Sequence, residues 1–216
     1  MIQAGESKIQ PTLSSAIRIE IITIIVVIVE AGVSIYAGIQ ASSTALIAFG
    51  ADSLIELITA VFLLWRFKVQ WRNSSVESVK RAEKIAAWVA AIALAALCVY
   101  IVADSIYGLW HGEKPEPSQL GIIISIFSLF AMPYLAVKKR AIAKALNSPA
   151  MKADAACSMT CAYMAGALLA GLLINSFTGW GWIDSAVSLL FLIWLIPETK
   201  EAFEGAKMGE LACECE

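Results

Sequence analysis

Histidine is almost absent from this chain. His111 is the single copy among 216 residues, and it falls in a polar stretch between two apolar runs. No apolar run contains one, so a membrane-embedded Ser–His pair is excluded, and with it the commonest hydrolytic chemistry. A Gly-rich phosphate loop, zinc-finger spacing and a basic stripe with interleaved aromatics are also missing. Nucleotide chemistry and nucleic-acid binding therefore have nothing to rest on. Cysteine is sparse and odd in number: Cys98, Cys157, Cys161, Cys213 and Cys215. Three of the five lie in apolar runs, which does not make a disulfide framework. The polar N-terminus has no signal-peptide pattern. The net charge of −2 says little.

What is abundant is apolar surface. The chain is 59% hydrophobic with a mean hydropathy of +0.75, against about 45–50% apolar for a soluble domain. Six apolar runs follow one another, at about 17–39, 44–65, 85–110, 119–137, 151–177 and 182–196. Most reach the roughly 20 residues a spanning helix needs. The sixth is short, but Trp180 and Trp182 extend it as an interfacial aromatic belt. An all-α membrane protein of six transmembrane helices is expected. Of the 16 Lys and Arg, all but Lys114 fall on one side of such a six-span chain. By the positive-inside rule both termini are then cytoplasmic. The expected division is a polar N-terminus (1–15), a six-helix domain (16–198) and a short acidic tail (199–216) carrying Cys213-Glu-Cys215. The loops on the outer side, 40–43, 111–118 and 178–181, are too short for a folded domain. Ala-Asp-Ser at 51–53 recurs at 103–105, and more loosely at 153–155 and 183–185. That echo fits two inverted three-helix halves, a common transporter plan; chance recurrence of small residues with Asp is the other reading.

Charge inside these runs is the informative feature. Asp52 and Glu56 are four apart in the second span, one helical turn above each other on one face. A carboxylate at membrane depth costs roughly 3 kcal/mol or more, so the pair needs a polar cavity, a proton or a cation. In the fifth span Asp154, Cys157, Ser158 and Cys161 share a face at spacings of three and four. Helix rise places Glu56 roughly 18 Å below the outer start of its span and Cys161 roughly 15 Å above the inner start of its own. In a core about 30 Å thick the two meet near the midplane. Asp52, Glu56, Cys157 and Cys161 together make a candidate tetrahedral metal site of two oxygens and two sulfurs, which suits Zn²⁺ and softer d¹⁰ ions. Packing is the other role open to the two thiols.

Glu30, mid-way along the first span, leaves three roles open: a further acidic ligand, a proton carrier, or a packing residue bonded to a neighbour. Asp154 lies near the cytoplasmic mouth, where admission of ions, capping and mouth electrostatics are all open. Asp104 and Asp184 are shallow and fit solvated or helix-capping roles. Glu20 is expected to be solvated at the inner interface, His111 to be a solvated loop residue, Cys98 to pack, and Pro133 to bend the fourth helix. The Cys213/Cys215 tail is either a transient binder of thiophilic ions or a disordered acidic segment.

With these residues placed, the chain resembles the cation diffusion facilitator superfamily. Residues 43–56, closing on Asp52-Ser-Leu-Ile-Glu56, are similar to that family's second helix, where two acidic residues four apart bind the transported ion. Residues 153–161 are similar to its fifth helix, with Cys157 and Cys161 where the family usually has His and then Asp. Trp182-Ile-Asp184-Ser-Ala resembles the opening of the sixth. The resemblance implies a homodimer in the lipid bilayer exporting divalent metal, commonly Zn²⁺, against protons by alternating access. It implies a secondary transporter rather than an enzyme, with no cofactor beyond the transported ion and no nucleic-acid partner. The family's cytoplasmic domain after the sixth helix is not found in these 216 residues, which points to a short branch. The two cysteines move the expected cargo toward Cd²⁺, Hg²⁺, Pb²⁺ or Cu⁺. Thiols ionise near pH ~8.5 when unperturbed, so metal binding would release protons and weaken on acidification. A non-transporting metal sensor or accessory subunit is the alternative.

Overall fold

A computed structural model describes the backbone of residues 3–71, 76–112, 115–146 and 148–208. The described residues form six helices and no strand: α1 (Gln3–Ala41), α2 (Thr44–Trp71), α3 (Val76–His111), α4 (Gln119–Leu146), α5 (Pro149–Thr178) and α6 (Trp182–Met208). Each contains a segment long and apolar enough to cross a membrane. The protein is an integral, multi-pass membrane protein, as composition and span count led one to expect. Its outward-facing side chains are apolar in keeping with a lipid solvent: Val99, Phe130 and Ile193 are all well over half exposed. At the outer end Trp180 and Trp182 stack with ring centroids 6.1 Å apart, both half exposed, as an interfacial belt requires.

The helices begin and end where local chemistry directs. Ser148 caps α5 by accepting from the Met151 backbone N–H, and Pro149 fills the first turn. Gly179 ends the helix in the left-handed region at φ 69°. On the inner side the helices run further than the apolar runs alone suggest. α6 does not stop at Pro197 but continues through it to Met208. The continuation is held by packing: Ala202 and Ala206 are buried, and Trp88 meets the Phe203 ring edge-on at 5.9 Å. No structural break therefore marks the expected boundary at 199, nor the one at 15, since α1 is already helical from Gln3. Pro133 likewise sits within an uninterrupted α4.

α1 packs chiefly on α2, α4 on α5, and α3 on α6. α1 also meets α4, α2 meets α3 and α5, and α5 meets α6. Apart from a small α2–α6 contact, exchanging α1–α3 for α4–α6 maps this pattern onto itself, as two related three-helix halves require. The α1–α2 crossing is very close. A Cβ on Gly38 would fall 2.7 Å from Ile47 Cγ1 and 2.8 Å from its backbone N. One on Gly50 would fall 2.7 Å from Ile35 Cγ1. Glycine at both positions is what lets the backbones touch.

Candidate metal centre

Each helix buries one stripe, and the polar residues on those stripes converge inside the bundle. On α1 the buried positions Ala16, Glu20, Thr23, Val27, Glu30, Ser34 and Ala37 recur every three or four residues. Glu20 and Glu30 are therefore forced inward together, and both are fully buried. This corrects the expectation that Glu20 is solvated. α4 does the same with Met132, Leu135, Lys139 and Ala143, and Lys139 is fully buried too. It is not the loop charge that counting basic residues suggests. α2 contributes Asp52 and Glu56, both buried, as their four-residue spacing requires.

The fifth helix splits its polar face between two neighbourhoods. Cys161 Sγ donates to Glu30 Oε1 at 3.5 Å. Its charged neighbours are Glu30, Glu56 and Asp52. Glu30, Asp52, Glu56 and Cys161 thus stand around one buried region, drawn from α1, α2 and α5. Cys157 turns instead toward α6. With Thr160, Trp194, Pro197, Glu198 and Glu201 it lines a cavity of about 110 Å³. Glu198 is also the strongest acidic neighbour of Asp52. Cys98 lies on this side as well, its Sγ 3.6 Å from Thr199 Oγ1. Cys98, Cys157 and Cys161 form no disulfide. Among the described residues, no three His, Cys, Asp or Glu side chains stand close enough together to ligate one ion in this conformation. Asp52, Glu56, Cys157 and Cys161 are neighbours through the bundle, not an assembled tetrahedron.

Toward the inner side lies a second polar network. Lys139 Nζ pairs with Asp154 Oδ2 at 2.5 Å and donates to Ser158 Oγ at 3.0 Å. Ser158 Oγ in turn donates to Glu56 Oε1 at 2.7 Å. Glu20 stands within electrostatic range of both Asp154 and Lys139. Asp154 is thereby committed to an ion pair, and the network reaches the α2 carboxylate through one hydroxyl. Several buried carboxylate oxygens here have no hydrogen-bond partner: both of Glu20, one each of Glu30, Glu56 and Glu198, and Asp154 Oδ1, the oxygen that the Lys139 ion pair leaves over.

At the outer end the acidic residues behave differently. Ser43 Oγ donates to Asp184 Oδ1, whose other oxygen accepts from the Ala45 backbone N–H at 3.3 Å. Thr44 Oγ1 donates to Asp104 Oδ2. Both aspartates thus hold the N-terminus of α2, where the helix dipole favours negative charge: Asp184 caps it through the Ala45 backbone N–H, and Asp104 is tied to it through the Thr44 hydroxyl. His111 is exposed, stacked on Tyr107 and bonded to that residue's carbonyl. Cys213 and Cys215 lie outside the described residues.

Sequence reasoning missed Lys139, Ser158 as a bridge, Glu20 as a buried group, and Glu198. The signal for the first and third was present. Lys139 and Glu20 each lie at helical spacing from neighbours that are themselves buried, and that spacing outranks nearness to the end of an apolar run. Glu198 had no such signal, because Pro197 reads as a stop.

Comparison with known proteins agrees with this architecture. The sequence profile of the cation efflux transmembrane domain matches residues 21–202. The chain is 24% identical over 176 residues to the metal cation efflux system protein CzcD of Cupriavidus metallidurans, covering 76% of this chain and 52% of that protein. The cation efflux system protein CzcD of an Alcaligenes species matches to the same extent. The chain spans about half the length of these curated relatives. Six spanning helices, a paired carboxylate on the second and a profile match across most of the chain lead to one assignment: the chain belongs to the cation efflux family, the cation diffusion facilitator superfamily that its helix motifs resemble.

Proposed function

We propose that this protein exports a divalent transition or heavy metal ion from the cytoplasm in exchange for protons, with Asp52, Glu56 and Cys161 as the core of the cargo site. Cys157 and Glu30 complete it as the helices rearrange. The observation that carries the reading is the meeting of Glu30, Asp52, Glu56 and Cys161 in the buried core, with carboxylate oxygens left unbonded. Buried carboxylates without partners are costly, and a cation or proton is what offsets them. Mixed oxygen and sulfur donors suit Zn²⁺ and softer ions such as Cd²⁺, Hg²⁺, Pb²⁺ or Cu⁺. The relatives' printed names, metal cation and cation efflux system proteins, support the substrate class. The basic residues of the inter-helix segments support cytoplasmic termini, and the two related halves support alternating access. A homodimer, a polar N-terminus and a short acidic tail belong to the same proposal.

Proteoliposomes loaded with a metal-sensing dye test it, using Zn²⁺, Cd²⁺, Hg²⁺ and Cu⁺ in turn under an imposed pH gradient. Uptake of at least one ion, abolished by Asp52→Ala and reduced by Cys161→Ala, is the expected result. Binding without flux for every ion would instead make the protein a metal sensor or accessory subunit.

A further inference from the structure

Lys139 is the one fully buried basic side chain among the described residues, and the cargo site as proposed has no use for it. The structure assigns it one: we propose that Lys139 is a resident counter-ion that occupies the cargo site's electrostatic place whenever no metal is bound. The inference rests on the reading of Glu56 as a cargo ligand.

Three features of the geometry support it. First, the contact is indirect. Lys139 donates to Ser158 Oγ, and that same hydroxyl donates to Glu56 Oε1. The hydroxyl dipole is aligned so that positive potential passes to Glu56, while the ammonium stays one residue back. A direct Lys–Glu pair would have to be broken for a metal to bind; a hydroxyl only has to turn. Second, the ammonium is tethered. Its ion pair with Asp154, one turn before Ser158 on α5, holds it on the inner side of the site. Third, it has somewhere to go. Glu20 is fully buried, both of its oxygens lack a hydrogen-bond partner, and it acts on Lys139 electrostatically. A metal arriving at Glu56 repels the ammonium, and Glu20 receives it without exposing any charge to lipid. When the metal leaves, the ammonium returns and Glu56 is again balanced. Lys139 is thus a positioning residue that competes with cargo, not a ligand.

The test is Cd²⁺ binding by equilibrium dialysis to the purified full chain, together with Cd²⁺ uptake in proteoliposomes. Lys139→Met is expected to bind Cd²⁺ about tenfold more tightly, since the competing charge is gone. It should also transport about tenfold more slowly, since nothing replaces the departing ion. Lys139→Met strands Asp154 in the core, so Lys139→Met/Asp154→Asn serves where the single variant does not fold, with the same expected direction. Lys139→Arg keeps the charge and should keep the wild-type Kd. Ser158→Ala cuts the bridge while leaving the ion pair and should tighten binding about threefold. A double variant and a Ser158→Ala variant that both bind Cd²⁺ with wild-type or weaker affinity would overturn the inference. Loss of thermal stability alone would then leave Lys139 a brace between α4 and α5. Glu56→Gln separates the two levels. If it binds Cd²⁺ as tightly as wild type, the cargo reading of Glu56 fails. If it abolishes binding while the lysine variants change nothing, only the counter-ion falls.

Discussion

The outer and inner halves of the bundle use the same side chains to opposite ends. At the outer end Asp104 and Asp184 are bonded to Ser43, Thr44 and the Ala45 backbone, and no oxygen of either is buried without a partner. In the middle and inner half, Glu20, Glu30, Glu56 and Glu198 all keep unbonded oxygens in the core. A carboxylate whose oxygens are filled by neighbouring donors is part of the scaffold. On the proposed reading, one with vacant oxygens is held ready for a visiting charge, at a cost in stability that the scaffold carries. The difference lies in position relative to helix ends. The start of α2 offers free backbone N–H groups, whereas mid-helix positions offer none.

The sharpest way to break this comparison is Glu56→Gln. It should lower metal uptake about 100-fold or more, yet leave thermal stability near wild type, because Gln keeps an acceptor for the Ser158 hydroxyl and the Lys139–Asp154 ion pair is untouched. A marked fall in melting temperature would place Glu56 with the scaffold residues. The reverse is expected of Asp184→Asn. Losing a charged cap should destabilise the protein by about 1–2 kcal/mol in chemical denaturation, with KM for metal changed by less than about twofold. A large shift in KM would put Asp184 in the transport path. The two thiols sharpen the picture within the inner half. Cys161→Ser should reduce the preference for Cd²⁺ over Zn²⁺ about tenfold, measured as a ratio of uptake rates. Cys157→Ser, facing α6, should reduce it by about threefold. Equal effects would mean that both thiols enter the first coordination sphere together. The smallest effect belongs to His111→Ala. An exposed ring on an outer turn should alter uptake by less than about twofold, and a larger loss would reveal an outer metal-handling role.

The six helices were legible in the sequence, because long apolar runs with few alternatives leave a bilayer one solution. The inward facing of Asp52 and Glu56 was legible for the same reason. What could not be read from one helix at a time was partnership. Asp154, Cys157, Ser158 and Cys161 share a face, but which neighbour each meets depends on how α5 sits between α1, α2, α4 and α6. That setting sent Cys161 to Glu30, Cys157 to the α6 cavity and Asp154 to Lys139. Glu20 and Lys139 were misplaced by reading depth from distance to the end of an apolar run. Helical periodicity carries them inward, and each sits on a stripe whose other members are buried. Glu198 lay beyond a proline that ends most helices but here is carried through by the packing of Ala202, Phe203 and Ala206.

The contact between α1 and α2 at Gly38 and Gly50 has a consequence for how such a bundle moves. The Ile47 and Ile35 side chains seat directly against the bare backbone of Gly38 and Gly50, so in the proposed alternating-access cycle the two helices would travel as a single lever. Glu20, Glu30, Asp52 and Glu56 ride on it together. Lys139, Asp154, Ser158 and Cys161 ride on the α4–α5 pair. The two carriages touch in the core through Glu56–Ser158 and Glu30–Cys161, so any stroke of one against the other is felt first at the carboxylates themselves.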